Sequence, residues 1–175
     1  AAPDSRPAVV IGSGAQAVRA HVAGRADVVE QAERRGTGHA VLQARSLLAP
    51  RGGRVLVTYA DMPLLRPETL IALAGVQSAN PGPLTLLTLS APDPRGFGRI
   101  VRSATGAVQA IVEEAEATPE QRALRELNAG AYCFAADWLW PALDRLAPSA
   151  KGEYYLTDLI ALAVGDGLAV AAVAA

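Results

Sequence analysis

The chain has 175 residues, 51% of them hydrophobic and 19% charged, with a formal net charge of −1. That length fits one domain with a sizeable core, and that composition excludes an intrinsically disordered chain. Near-neutrality excludes the basic field that draws in nucleic acid or an anionic membrane surface.

The first six residues hold no apolar segment and are not a signal peptide. Residues 8–11, Ala-Val-Val-Ile, form a short apolar run closed by Gly12, the pattern of a buried parallel strand. Helical spacing follows over residues 15–22, and residues 27–31 read as a second strand. Ala40, Val41, Ala44, Leu47 and Leu48 give residues 37–48 the stripe of an amphipathic helix. Residues 55–58 are apolar enough for a third, central strand. Pro67 at a first helical position, with Glu68 in the first turn, opens the next helix. Strands alternating with helices at this spacing predict an α/β fold with a mostly parallel, mixed sheet flanked by helices.

Further on, residues 84–90 read as a strand, and residues 99–102 and 107–112 as a hairpin about Thr105-Gly106. Thr118-Pro119-Glu120-Gln121 is a capping box with proline at the first helical position. Residues 128–134 predict another strand, Asp137 the cap of a helix reaching Leu146, and residues 156–164 a last helix. Trp138 and Trp140 are expected at the core and rim of that Asp137 helix. The stretch from 156 to 175 is interrupted by Asp158 and Asp166 and is too broken to span a bilayer. The sequence starts and stops abruptly beside apolar runs, which reads as a domain missing both ends. No repeat, low-complexity tract or linker divides residues 1–175, so one domain is expected. The single cysteine, Cys133, lies in an apolar run and reads as a small buried hydrophobe. Such usage fits a reducing, cytoplasmic setting.

Two glycine-rich turns compete as nucleotide sites. Gly12-Ser13-Gly14-Ala15-Gln16-Ala17 follows a strand and precedes a helix, with Glu30 beyond it, as in a dinucleotide fingerprint; the plain alternative is a tight turn that needs small residues. The second, Arg35-Gly36-Thr37-Gly38, opens a helix and is followed by a strand that ends near the carboxylate Asp61. A hard carboxylate at the carboxyl end of a sheet strand suits a divalent metal and a nucleotide. No Ser/His/Asp or Cys/His constellation accompanies either turn. His39, at the start of the helix, reads as a packing or capping residue.

Five segments in order carry a resemblance: residues 31–43; Val57 to Leu64; Asp93 to Ile100; Ile111 to Glu114 with Ala117 to Arg122 and Glu126 to Gly130; and Gly152 to Asp158. Together they resemble the pyrophosphorylase domain of bacterial bifunctional N-acetylglucosamine-1-phosphate uridyltransferase/glucosamine-1-phosphate acetyltransferase. The resemblance implies a Rossmann-like nucleotide-diphospho-sugar transferase fold lacking its first strand. It implies a reaction that joins UTP to N-acetylglucosamine 1-phosphate with Mg²⁺, yielding UDP-N-acetylglucosamine and pyrophosphate. By the same resemblance Gln31, Gly36, Thr37 and Tyr59 serve the nucleotide. Asp61 is the catalytic metal ligand, and Gly98, Glu113 and Asn128 form the sugar pocket. A related sugar-phosphate nucleotidyltransferase of other specificity, or a non-catalytic UDP-sugar-binding module, stands as the alternative. Three positions depart from the pattern: Ala115 stands where the family usually has lysine, Glu116 where it has aspartate, and Ala60 where it has glycine. Those departures, with the missing ends, imply weak or no activity for this chain alone. An open sheet edge implies self-association into a homo-oligomer.

Overall fold

The computed structural model describes residues 6–175. It begins with β1 (Ala8–Gly12), α1 (Gln16–Val22) and β2 (Asp27–Gln31), followed by α2 (Thr37–Gln43), α3 (Arg45–Leu48) and a 3₁₀ turn, Ala49–Arg51. Next come β3 (Arg54–Thr58), α4 (Pro67–Ala79), β4 (Leu84–Ser90), β5 (Arg99–Arg102) and β6 (Val108–Val112). The chain closes with α5 (Pro119–Arg122), β7 (Glu126–Ala135), α6 (Ala136–Leu143), α7 (Asp158–Gly165) and β8 (Val170–Ala174).

Strand β7 organises the molecule. One of its edges pairs with β4; the other pairs first with β5, at Leu127, and then with β3, from Ala131 to Ala135. Residues 127–134 are all buried, so both of its faces meet packed side chains. Alternation sends Tyr132 and Phe134 to one face, against Leu139 of α6 and Leu159 and Ile160 of α7. Ala131 and Cys133 point the other way, against Leu73 of α4 and Leu87 of β4. The result is a helix–sheet–helix sandwich, the mixed α/β class expected from the sequence. Burial pushes the Cys133 thiol up to about 11, which makes it the inert hydrophobe its neighbours predict.

The sheet differs from expectation in two respects. Among the described residues, parallel pairing is confined to β1–β2 and β4–β8, and the other four pairings are antiparallel. Strand β3 is not central: among the described residues it pairs with β7 alone, and Leu56 is 47% exposed. A four-residue apolar run does not by itself distinguish a central strand from one at the sheet margin. Strands β1 and β2 stand as a separate two-stranded sheet.

Helix boundaries also shift. The 37–48 helix breaks at Ala44 into α2 and α3. Asp137 lies inside the first turn of α6 and does not cap it, because the flanking residue is Ala135. Trp140 is buried and Trp138 half-buried, the core and rim positions expected of them. The last helix starts at Asp158, while Pro67 and the Thr118 capping box open their helices as predicted. No helix is long and apolar enough to cross a membrane among the described residues.

Candidate active site

Antiparallel pairing explains why distant residues meet. Thr58, the last residue of β3, sits opposite Ala131 of β7. The residues just after β3, Tyr59 and Asp61, therefore emerge beside the first half of β7, where Asn128 lies. Gly98, just before β5, accepts a hydrogen bond from the Asn128 backbone N–H at 2.9 Å. Glu113 follows directly on β6, which pairs with β5. These elements enclose a cavity of about 740 Å³ lined by Tyr59, Asp61, Gly98, Glu113, Asn128 and Gly130, with Met62, Leu64 and Phe97 among its apolar lining. Five of the eight residues predicted for the site thus share one cavity. Asp61 is exposed at its wall.

The remaining three, Gln31, Gly36 and Thr37, do not line that cavity but form a neighbouring wall tied to it. Thr37 Oγ1 accepts from the Leu156 N–H at 2.9 Å, and the next residue, Thr157, donates to Glu113 Oε1 at 3.0 Å. The Gly36 backbone is left-handed, at φ +94°, and a Cβ there would meet Tyr154 O at 2.6 Å. Only glycine fits both conditions. Buried Gln31 donates from Nε2 to Gly36 O at 3.1 Å and lies 2.9 Å from His39 Nδ1. Gln43 Nε2 in turn lies 3.2 Å from His39 Nε2. His39 therefore orients Gln31, a role beyond the packing or capping expected of it. The i, i+4 spacing of His39 and Gln43 on one helix was the available signal.

Several further residues support the site without having been singled out. Arg99, 2% exposed, donates to Phe97 O, to Glu114 Oε1 at 3.3 Å and to Arg122 O at 3.4 Å. Glu114 Oε2 accepts from the Gly96 N–H at 2.6 Å. That backbone bond, chiefly, and the Arg99 guanidinium hold the Glu114 carboxyl below its ordinary range. Gly98 and Glu113 are the chain neighbours of this ion pair, so it fixes both walls of the pocket. Burial raises the Tyr59 phenol, opposed in part by hydrogen bonding to Tyr132. Asp158 is raised by burial first, then by the charges of Glu116 and Glu113.

The Gly12–Ala17 turn joins β1 to α1. Arg34 lies against Gly12, with Nε only 2.7 Å from where a Cβ would stand, and α1 beyond it buries no residue.

A cavity lined by two carboxylates and polar pocket residues, with a glycine-rich turn on the neighbouring wall, fits a nucleotide-binding transferase domain. The nucleotidyl transferase family profile matches residues 16–175, and the chain belongs to that family. It is 47% identical over 165 residues to the bifunctional protein GlmU of Pelotomaculum thermopropionicum, covering 94% of this chain and 36% of that relative. It is 51% identical over 165 residues to the GlmU of Stutzerimonas stutzeri (93% of this chain, 36% of the relative). With the GlmU of Enterococcus faecalis it shares 42% over 164 residues, again 93% and 36%. The chain thus spans about a third of the length of these curated relatives.

Proposed function

We propose that the chain is the uridylyltransferase domain of a bifunctional enzyme and that its cavity receives N-acetylglucosamine 1-phosphate beside UTP. The observation that carries this reading is the convergence of Asp61, Gly98, Glu113 and Asn128 on one cavity, next to the Gln31–Gly36–Thr37 wall. The products are UDP-N-acetylglucosamine and pyrophosphate, a step of cell-wall precursor supply in a cytoplasmic protein.

The chemistry asks the protein for placement more than for a nucleophile. A sugar phosphate oxygen attacks the α-phosphorus of UTP in line, and pyrophosphate leaves with its electron pair. Gln31 Nε2 donates to Gly36 O and lies against His39 Nδ1, and Gln31 Oε1 is the atom that accepts the imide N–H of uracil in this reading. Glu113 keeps Oε2 for a sugar hydroxyl, since Thr157 occupies Oε1. Asp61 is a single exposed carboxylate, and no set of three or more metal-ligating side chains gathers among the described residues. Mg²⁺ suits that setting, because it is held by one or two carboxylates together with water and substrate phosphates. Bound there by Asp61, it would neutralise phosphate charge.

Turnover by this chain alone is proposed to be slow. Glu113, Glu116 and Asp158 gather negative charge beside the pocket, adding to the burial that raises Asp158, and Ala115 supplies no cation among them. The same feature favours a second reading, a UDP-sugar-binding module without catalysis. Incubation with UTP, N-acetylglucosamine 1-phosphate and Mg²⁺, with pyrophosphate release as readout, separates the two. Slow release that needs all three components supports the enzyme. Calorimetric binding of UDP-N-acetylglucosamine, equal with and without Mg²⁺ and with no pyrophosphate, supports the module. Failure to bind any uridine nucleotide overturns both. A homo-oligomer formed through the free edge of β3 is part of the proposal, and a monomer by light scattering at high concentration removes it.

A further inference from the structure

The register of β4 against β7 is irregular beside the sugar pocket. Thr88 pairs with Asn128 and Leu86 with Tyr132, so two residues of β4 oppose four of β7. In an extended strand the Asn128 and Tyr132 backbones would lie roughly 13 Å apart; here they are drawn together to about the 7 Å that two residues cover. The excess chain is absorbed at Gly130, whose φ is +73°. The Tyr59 ring packs on that glycine, and a Cβ there would meet its Cδ2 at 2.6 Å. The bulge brings the Tyr132 hydroxyl, on a fully buried residue, within 2.7 Å of Asn128 Nδ2 and 3.0 Å of Oδ1.

The backbone settles which way the amide faces. Gly130 N–H lies 3.1 Å from Asn128 Oδ1, and a backbone N–H can only donate. The oxygen is therefore fixed toward Gly130, and Nδ2 donates one hydrogen to the Tyr132 hydroxyl. Burial pushes the Tyr132 phenol well above its ordinary value, so it stays neutral and keeps its O–H. One Asn128 N–H is left for the cavity that the residue lines.

We propose that Tyr132 is a positioning residue: through the Gly130 bulge it locks the Asn128 carboxamide so that this end of the pocket offers a single hydrogen-bond donor to the sugar. The complementary ligand accepts from Asn128 and donates to the free Glu113 oxygen, as a ring bearing both a hydroxyl and an acetamido carbonyl does. This rests on the reading of the cavity as a sugar-phosphate site.

The test uses the 175-residue chain labelled with ¹⁵N, with the Asn128 side-chain amide pair identified by its loss in Asn128→Asp. In the unsubstituted chain one proton of the pair exchanges slowly behind Tyr132 and its sibling quickly; equal rates overturn the proposal. In Tyr132→Phe, which keeps the ring in the core, the slow proton becomes fast. The dissociation constant for N-acetylglucosamine 1-phosphate then rises roughly three- to tenfold, the worth of one hydrogen bond. Affinity for UTP falls by less, since Tyr59, the nucleotide residue beside Tyr132, keeps its ring packing on Gly130. Unchanged exchange in Tyr132→Phe, or an equal loss of both affinities, overturns it. If the unsubstituted chain binds no sugar phosphate, the functional reading falls, while the exchange rates still decide the role of Tyr132.

Discussion

The two sides of the proposed site, the cavity and the wall beside it, are built by different means. The sugar-side wall grows out of the deepest part of the fold: Leu127, Ala131, Tyr132, Cys133 and Phe134 of β7 are all fully buried. The nucleotide-side wall hangs on β1 and β2, in which only Ile11 and Gln31 are buried. It is fastened to the rest by backbone bonds, from Gly38 to Tyr154 and from Tyr154 to Arg35, both 2.8 Å, and by the ion pair of Arg51 with Asp27. Hydrophobic burial preorganises one wall, and hydrogen bonds dock the other. Local opening free energies follow such differences in packing, so the nucleotide wall should open more readily.

The sharpest way to break this contrast is to weaken each wall separately. Phe134→Ala removes a fully buried ring and is expected to cost about 3–5 kcal/mol by urea denaturation. Val29→Ala, in half-buried β2, should cost roughly 1 kcal/mol or less. Equal losses would mean that the two walls fold as one cooperative block. Next in size, Asp61→Asn should leave the melting transition in place, because Asp61 is exposed. Pyrophosphate release should fall on the order of a hundredfold, the scale of a lost electrostatic contact to phosphate charge. An active Asp61→Asn chain would remove the metal assignment.

A smaller effect probes the docked wall alone. Gly36→Ala meets a left-handed backbone and the Tyr154 carbonyl, at an expected cost of about 1–3 kcal/mol. UTP affinity should drop, and affinity for N-acetylglucosamine 1-phosphate should hold. Loss of both by calorimetry would show that the walls are coupled through the Thr37–Leu156–Thr157–Glu113 path.

Legibility in the sequence followed the same division. Local chemistry read correctly: the β2 boundaries, the Pro67 helix start and the Thr118 capping box depend on neighbouring residues only. Asp61, Gly98, Glu113, Asn128 and Tyr59 were legible as a set through the family resemblance, and they share the cavity. Long-range features were hidden. Nothing within residues 54–58 says that one long strand, β7, serves β5 and then β3 along a single edge, leaving β3 at the margin. Tyr132 looked like core because it is core; its hydroxyl reaches Asn128 only through a bulge set by pairing with β4. His39 reads as a helix residue until β2 brings Gln31 against it.

The smallest effect concerns the charge shared between the walls. Asp158 opens α7, and its carboxyl is raised by burial and by Glu116 and Glu113. A raised folded value means that the folded chain holds this proton more tightly than the unfolded chain does. The associated stability is therefore full at pH below the ordinary aspartate range and is lost as pH rises through the raised folded value. Glu126 has the opposite sign: the Arg102 guanidinium, at 2.6 Å, lowers it, so its contribution is present at neutral pH and disappears as pH falls below the ordinary glutamate range. Asp158→Asn should thus flatten the decline in stability on the way from acid to neutral pH and leave the acid limb, governed by pairs such as Arg102–Glu126, in place. The change should stay within about 1 kcal/mol, because the group is only partly buried and solvent screens its neighbours. Mg²⁺ with UTP should mute the same slope if the nucleotide's cation settles close enough to offset Glu113 and Glu116. A slope that ignores both the substitution and the ligand would place the carboxylate cluster outside the working site.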